Sequence, residues 1–404
     1  MYDRHHLLLR DVIILNQNGY KLRDLAAIFE LLDLCAEKLK HAPNVYKEHV
    51  MALIRLCKFP FLKELSSDEQ RYLELTQSCL SQLGRLLHVT DEDVRLEVCR
   101  SLEGLYEPAD ALSMISEVAT VLPVSSSFLR AAVEGSTIVD SLTAFQLTVT
   151  DFRQSRLLTL RILQTLSMHS ATCSRKLITA GLPKSICSTI RTKLEPHHPL
   201  LSLCTGILLN CIGHEHSPET VREWVNQVGD ETSLEQLQEV LFYLLAQSHS
   251  KAARSLRNDV LAVIVLLIKN AASINCLEQL HVVETGLVEK IVQLITFGKV
   301  GSHDATVRNL KFAPNPENFE MLKMAVSTLA LLARSSAFVQ VRVLLVFMSQ
   351  LTTFPKVFYY GILSGCIHGI SLEYAGHNSH DECDCQVQTP IAQHPEARGK
   401  DACL

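Results

Sequence analysis

Glycine and proline are sparse in this chain, 16 and 13 among 404 residues, and there is a single tryptophan. Valine, isoleucine and threonine runs that alternate with a period of two are few. Together these shortages exclude an all-β domain built on tight turns, and no βαβ rhythm points to a parallel sheet. Charge of one sign is also missing. A net charge of −5 gives no electrostatic case for nucleic acid. Long apolar runs are absent: VLLVFMSQLTTFPKVFYYGILSGCIHGI, from Val343, is split by Pro355 and Lys356 into pieces too short for a bilayer core ~30 Å thick. The opening MYDRHHLLLRDVIIL has charges on both sides of its apolar run, unlike a signal peptide. The closing DACL has its cysteine second from the end, unlike a prenylation box. No membrane insertion is expected.

What is abundant is aliphatic and helical. The chain is 47% hydrophobic and 20% charged, the composition of a core-rich folded protein. In LRDLAAIFELLDLCAEKLK, residues 22–40, Leu22, Leu25, Phe29, Leu32, Ala36 and Leu39 share one helical face. Ile28, Leu31 and Cys35 widen that face, so the helix needs neighbours on more than one side, and Leu25, Phe29 and Leu32 are expected to be buried. Cys35, Cys57, Cys79, Cys99, Cys204 and Cys211 also lie within apolar helical patterns, which reads as buried thiols in a reducing cytoplasm.

Helix-start signals recur throughout: Ser66-Ser67-Asp68-Glu69, Thr90-Asp91-Glu92-Asp93, Ser217-Pro218, Thr232-Ser233-Leu234-Glu235 and Asn315-Pro316. They imply roughly eighteen helices of about ten to twenty residues. ITAGLPKSI (178–186) and VETGLVEKI (283–291) are copies of one Gly-Leu turn, and VEGSTIV (133–139) is a weaker one. Near each lies a strongly apolar helix: LLTLRILQTLSMHS, LLSLCTGILLNCIGH, NDVLAVIVLLIKNAA or MLKMAVSTLALLARS. A unit of this kind cannot bury its apolar faces alone, so neighbours stack. The expected fold is an all-α, armadillo/HEAT-like helical-repeat solenoid over residues 1–340. A divergent C-terminal segment follows over 341–404, polar and partly disordered from about residue 374.

No catalytic constellation emerges. GILSG (361–365) is not a nucleophile elbow, and FGKVGSH lacks phosphate-loop spacing. Two clusters carry metal-capable donors: Cys211, His214 and His216, and in the tail His377, His380, Cys383 and Cys385. Neither matches a familiar finger spacing, and Cys211 continues an apolar face. The expectation is a non-enzyme with no cofactor, metal or small-molecule substrate.

Charge distribution offers the best candidate surface. From Phe152 to Leu194 there is no acidic residue, while Arg153, Arg156, Arg161, Arg175, Lys176, Lys184, Arg191 and Lys193 fall in that window. The next stretch reverses sign, with Glu215, Glu219, Glu223, Asp230, Glu231, Glu235 and Glu239 against Arg222 alone. Arg153, Arg156, Arg175, Lys176, Lys184, Arg191 and Lys193 form a candidate protein-docking ridge. Arg161 is set aside because it sits in an apolar helix where its stem serves packing. The competing account is that neighbouring repeats neutralise one another along the stack. Nuclear-import receptors of this architecture hold extended peptides with recurring third-helix asparagines. Here Asn210 takes that place, but Gln164 and Ala330 stand at the equivalent ones, a poor ladder for that mode.

NGYKLRDLAAIFELLDLC (18–35), LIRLCKFPFLKELSSDE (53–69), RSLRNDVLAVIVLLIKNAA (254–272) and NLKFAPNPENFE (309–320) together resemble, in order, the N-terminal part of the cilia- and flagella-associated protein 69 family. The resemblance covers roughly residues 10–340, and the pattern is lost from about Val341. Family members are longer, so the resemblance implies a chain shortened on its C-terminal side, with a tail from alternative splicing or a gene-model error. It also implies a non-enzymatic scaffold of the axoneme, in the central-pair apparatus. Such a scaffold would serve the assembly and motility of motile cilia and sperm flagella, with a role in olfactory cilia. Its partners would be other axonemal proteins, including the glutamate-rich tails of tubulin. The alternative is a soluble armadillo adaptor that grips extended peptides in transport or signalling.

Overall fold

A computed structural model describes residues 25–39, 41–57, 62–64, 69–103, 121–123, 126–149, 153–190, 198–280, 285–296 and 313–335. These hold fifteen α-helices: α1 Leu25–Leu39, α2 Pro43–Leu56, α3 Glu69–Leu86, α4 Glu92–Leu102, α5 Ser126–Gly135, α6 Ile138–Thr148, α7 Gln154–His169, α8 Ala171–Thr179, α9 Leu182–Ile190, α10 Pro199–Ile212, α11 Pro218–Val228, α12 Glu231–Ala246, α13 Lys251–Ser273, α14 Leu287–Ile295 and α15 Pro316–Ser335. A 3₁₀ turn, Leu277–Leu280, stands before α14. One antiparallel ribbon pairs β1 Leu62–Glu64 with β2 Val121–Pro123, Lys63 opposite Leu122. It joins two inter-helical segments and leaves the helical class unchanged.

The helices stack in three rows. Third helices pack in the order α2, α4, α7, α10, α13, α15, and second helices in the order α1, α3, α6, α9, α12, α14. Each second helix also packs on the third helix of its own repeat. Short first helices, α5, α8 and α11, bridge neighbouring repeats: α8 touches α6 and α7 behind it and α11 ahead. One hydrophobic cluster runs from Ile28 to Leu332 without a break. At about 1.5–3 kcal/mol for each large aliphatic side chain fully buried, this shared core is what holds any one repeat in place. Phe29 and Leu32 are buried as expected, while the side chain of Leu25 lies outside the described set.

Local chemistry sets the helix ends. Pro43, Pro199 and Pro218 occupy first-turn positions where a missing N–H costs nothing. Asp91 caps α4 by accepting from the N–H groups of Asp93 and Val94, and Ser217 caps α11 by accepting from Thr220. Asn315 Oδ1 accepts from Asn318 N at 2.9 Å at the start of α15. One expected start is displaced. The helix after Asp230 begins at Glu231, so Thr232 and Ser233 lie inside it and Ser233 is buried. Asp230 stands at the N-cap, half-buried and without a side-chain cap bond, and its carboxylate is instead paired with Lys184.

The two strong Gly-Leu turns are real turns. Gly181 and Gly286 sit at φ +79° and +65°, where any Cβ is strained. The weaker copy differs. Gly135 ends α5 without positive φ, and a Cβ there would collide with the Gln77 amide.

Candidate docking surface

The predicted ridge divides into paired, buried and exposed members. Arg156 does not reach solvent. It is 7% exposed, its Nε donates to Gln146 Oε1 at 3.3 Å and its Nη2 to Thr189 Oγ1 at 3.2 Å. Its position in the first turn of α7 turns it toward α6 and α9, a direction that sequence spacing alone does not reveal. Lys176 pairs with Asp140 at 3.4 Å, and Lys184 with Asp230 at 3.4 Å. Two ridge cations are thus partnered by carboxylates of the stack, Lys176 by one from the preceding α6 and Lys184 by Asp230 of the acidic stretch that follows. Arg153 and Arg175 are exposed. Arg191 and Lys193 lie outside the described residues. Arg161, left off the ridge, is an inter-repeat tie to Glu103 at 2.9 Å.

The third-helix row is likewise turned on itself. Asn210 Nδ2 donates to the Gln164 carbonyl at 3.0 Å and to Ser167 Oγ at 3.2 Å, binding α10 to α7. Asn270, one repeat on and missed in the sequence, donates to the Leu266 carbonyl of its own helix at 2.8 Å. Glu92 accepts from the N–H and hydroxyl of Ser155, capping α7 from the preceding third helix. Asparagine amides that would hold a peptide are therefore already engaged.

The metal-capable trio is engaged in the same way. Cys211 is fully buried, and burial pushes its thiol up to about 12. His214 Nε2 lies 2.6 Å from the Ser167 carbonyl and His216 Nε2 2.6 Å from that of Cys211. Both nitrogens thus carry the proton and donate. Nine cysteines among the described residues are buried and free, Cys173, Cys187 and Cys276 joining the six expected. Burial raises Cys99 to about 11 and Cys187 and Cys204 to about 12, which makes these thiols poor nucleophiles. The His377–Cys385 cluster, GILSG and FGKVGSH lie outside the described residues. No helix among the described residues is long and apolar enough to cross a membrane.

The chain is 28% identical over 332 residues to cilia- and flagella-associated protein 69 of Mus musculus, covering 82% of this chain and 33% of that protein. It is 28% identical over 330 residues to the Homo sapiens protein of the same name, at 80% and 33%. The chain therefore spans about a third of the length of these relatives. Among solved structures, an engineered protein aligns at 17% identity and a TM-score of 0.40, covering 74% of this chain and 97% of its own. A designed armadillo repeat protein in complex with the peptide (KR)4 aligns at 13% and 0.43, covering 74% and 98%. The family described as "Cilia- and flagella-associated protein 69, ARM repeat" matches residues 1–357, ending beyond the Val341 at which the sequence pattern fades. With that match spanning most of its length, the chain belongs to the cilia- and flagella-associated protein 69 family.

Proposed function

We propose that this chain is a non-enzymatic structural scaffold of the axoneme, within the central-pair apparatus. It would contribute to assembly and beating of motile cilia and sperm flagella and to olfactory cilia. The observation that carries this reading is the family match over residues 1–357, laid on a continuous three-row helical stack. A stack held by one core from end to end suits a rigid, load-sharing part. Its partners are other axonemal proteins, tubulin tails among them. Arg153, Arg175 and Lys184 contribute to docking, and Arg191 and Lys193 continue the same basic stretch in the sequence.

The adaptor reading is the weaker one, because Asn210 is held by Gln164 and Ser167 instead of facing a guest peptide. Localisation of the tagged chain in ciliated cells, followed by detergent extraction, separates the two. The scaffold remains with the extracted axonemes. Release into the soluble fraction with the membrane matrix would overturn the proposal in favour of the adaptor.

A further inference from the structure

The three first helices carry an arginine at one repeated position. Arg130 is the fifth residue of α5, Arg175 the fifth of α8 and Arg222 the fifth of α11. The frame of burial is common to all three helices. In α5 the third, fourth, seventh and eighth residues are Phe128, Leu129, Ala132 and Val133, all buried. In α8 the same places hold Cys173, Ser174, Leu177 and Ile178, also all buried. In α11, Trp224 and Val225 keep the seventh and eighth places buried, with Thr220 and Val221 half-buried before them. A shared buried stripe points the fifth position of each helix to the same side, and all three arginines are exposed there.

None of the three makes an ion pair among the described residues, and the nearby carboxylates have other duties. Glu134 accepts from Ser170 Oγ, Asp140 is held by Lys176, and Glu223 accepts from Gln227 Nε2. Glu219, one turn before Arg222, is drawn first to the start of α11 by its own backbone N–H and the Ser217 hydroxyl, and less strongly by the Arg222 charge. The helices are tied to one another: Glu134 links α5 to the cap of α8, and Gln227 of α11 donates to the Ile178 carbonyl of α8 at 2.7 Å. The three rungs therefore belong to one connected row.

We infer that Arg130, Arg175 and Arg222 form a ladder, one rung per repeat, that docks an acidic polypeptide segment along the first-helix row. A guanidinium offers a planar fork of N–H donors that matches a carboxylate in two-point contact, which a lysine cannot do. Repetition at the repeat step suits a chain that presents carboxylates repeatedly rather than a single anion. This rests on the docking reading above, shares only Arg175 with its side chains, and follows the first-helix row across three repeats.

The test is binding of a fluorescent peptide of consecutive glutamates to the full chain at low salt. Each of R130E, R175E and R222E lowers affinity by no more than about fivefold, and the triple variant by about tenfold or more, with a flatter salt dependence. The melting temperature stays with the parent's, because the sites are exposed. A triple variant of equal charge change, R85E/R100E/K269E, binds as the parent does. Parental affinity in the ladder triple, or equal loss in the control triple, would overturn the ladder. So would absent peptide binding with ladder-dependent binding of RNA or anionic lipid vesicles. If peptide binding follows the ladder while the tagged chain washes out of axonemes, the scaffold reading fails and the ladder stands. If the chain stays in axonemes and the peptide ignores the variants, the ladder alone fails.

Discussion

The two ends of the third-helix row place their charged ties at different depths. Between α2 and α4 the ties are ion pairs at the surface: Lys47 with Asp91 at 2.9 Å and Asp93 at 2.6 Å, and Arg55 with Glu97 at 3.2 Å. Hydrogen bonds to Asp93 and then Asp91 raise the Lys47 ammonium above its ordinary pKa. Between α13 and α15 the most buried tie is a guanidinium with no exposed surface, beside an ion pair of Arg254 with Glu317 at 3.6 Å and a bond from Asn258 Nδ2 to the Glu317 carbonyl at 2.7 Å. Arg257 donates to Ser248 Oγ at 3.1 Å, to Asn258 Oδ1 at 3.0 Å and 3.2 Å, and to the Glu317 carbonyl at 3.3 Å. Burial, with Arg254 beside it, lowers its pKa to about 10. In the middle of the row, α10 has no charged side chain at all. The lesson is that one repeat geometry tolerates very different glues, because the apolar core does most of the holding and polar ties set register.

The sharpest way to break the comparison is at Arg257. R257A leaves Ser248 Oγ and Asn258 Oδ1 without the donor Arg257 supplies, leaves the Glu317 carbonyl to Asn258 Nδ2 alone, and opens a hole in the core. The expected loss is about 3–5 kcal/mol, the usual penalty for removing one member of a buried charged network. Urea unfolding measures it, and hydrogen exchange should locate the loosening in α13 and α15 first. An unchanged midpoint would mean that the guanidinium is no structural tie.

At the other end the effect is much smaller. The K47A/R55A double variant removes exposed pairs that salt already weakens, so the melting temperature falls by no more than about 2 °C. Raising salt to about 1 M should erase most of the difference from the parent, while the R257A deficit persists because buried contacts are poorly screened. Equal salt sensitivity of the two variants would remove the distinction between the ends of the row.

Much of this was legible in the residues. The three-four spacing of Phe29 and Leu32 gave a buried helix face, and Gly181 and Gly286 gave the turns, because apolar periodicity and positive φ leave local marks. Buried arginines leave none. Arg156 read as a surface cation and Arg257 drew no notice, since a guanidinium's burial depends on acceptors such as Thr189 or the Glu317 carbonyl that the chain brings from far away. The arginine ladder was hidden for another reason: Arg130, Arg175 and Arg222 align only once helix starts are known to the residue, and the displaced start at Glu231 illustrates how far a capping motif alone can mislead. Asn210, in contrast, was picked out in sequence, but its bonds to Gln164 and Ser167 became visible only in the stack.

The smallest expected effect concerns the α10–α11 turn, which shares the character of neither end. His216 is held below the usual imidazole pKa, first by burial, against the opposing pull of its bond to the Cys211 carbonyl, and then by His214 and Arg175. A histidine with a lowered folded pKa binds fewer protons folded than unfolded. Its stabilising share is therefore complete above about pH 6.5 and is lost as pH falls from there through the lower folded value. H216Q keeps a side-chain N–H to offer the Cys211 carbonyl but cannot titrate. Its melting temperature should match the parent's near pH 7.5 and exceed it near pH 5, by less than about 2 °C. Differential scanning calorimetry at the two pH values decides the matter. A parent and variant that run parallel across both would mean that His216 carries no part of the acid sensitivity and that the turn is held by the Cys211 contact in either charge state.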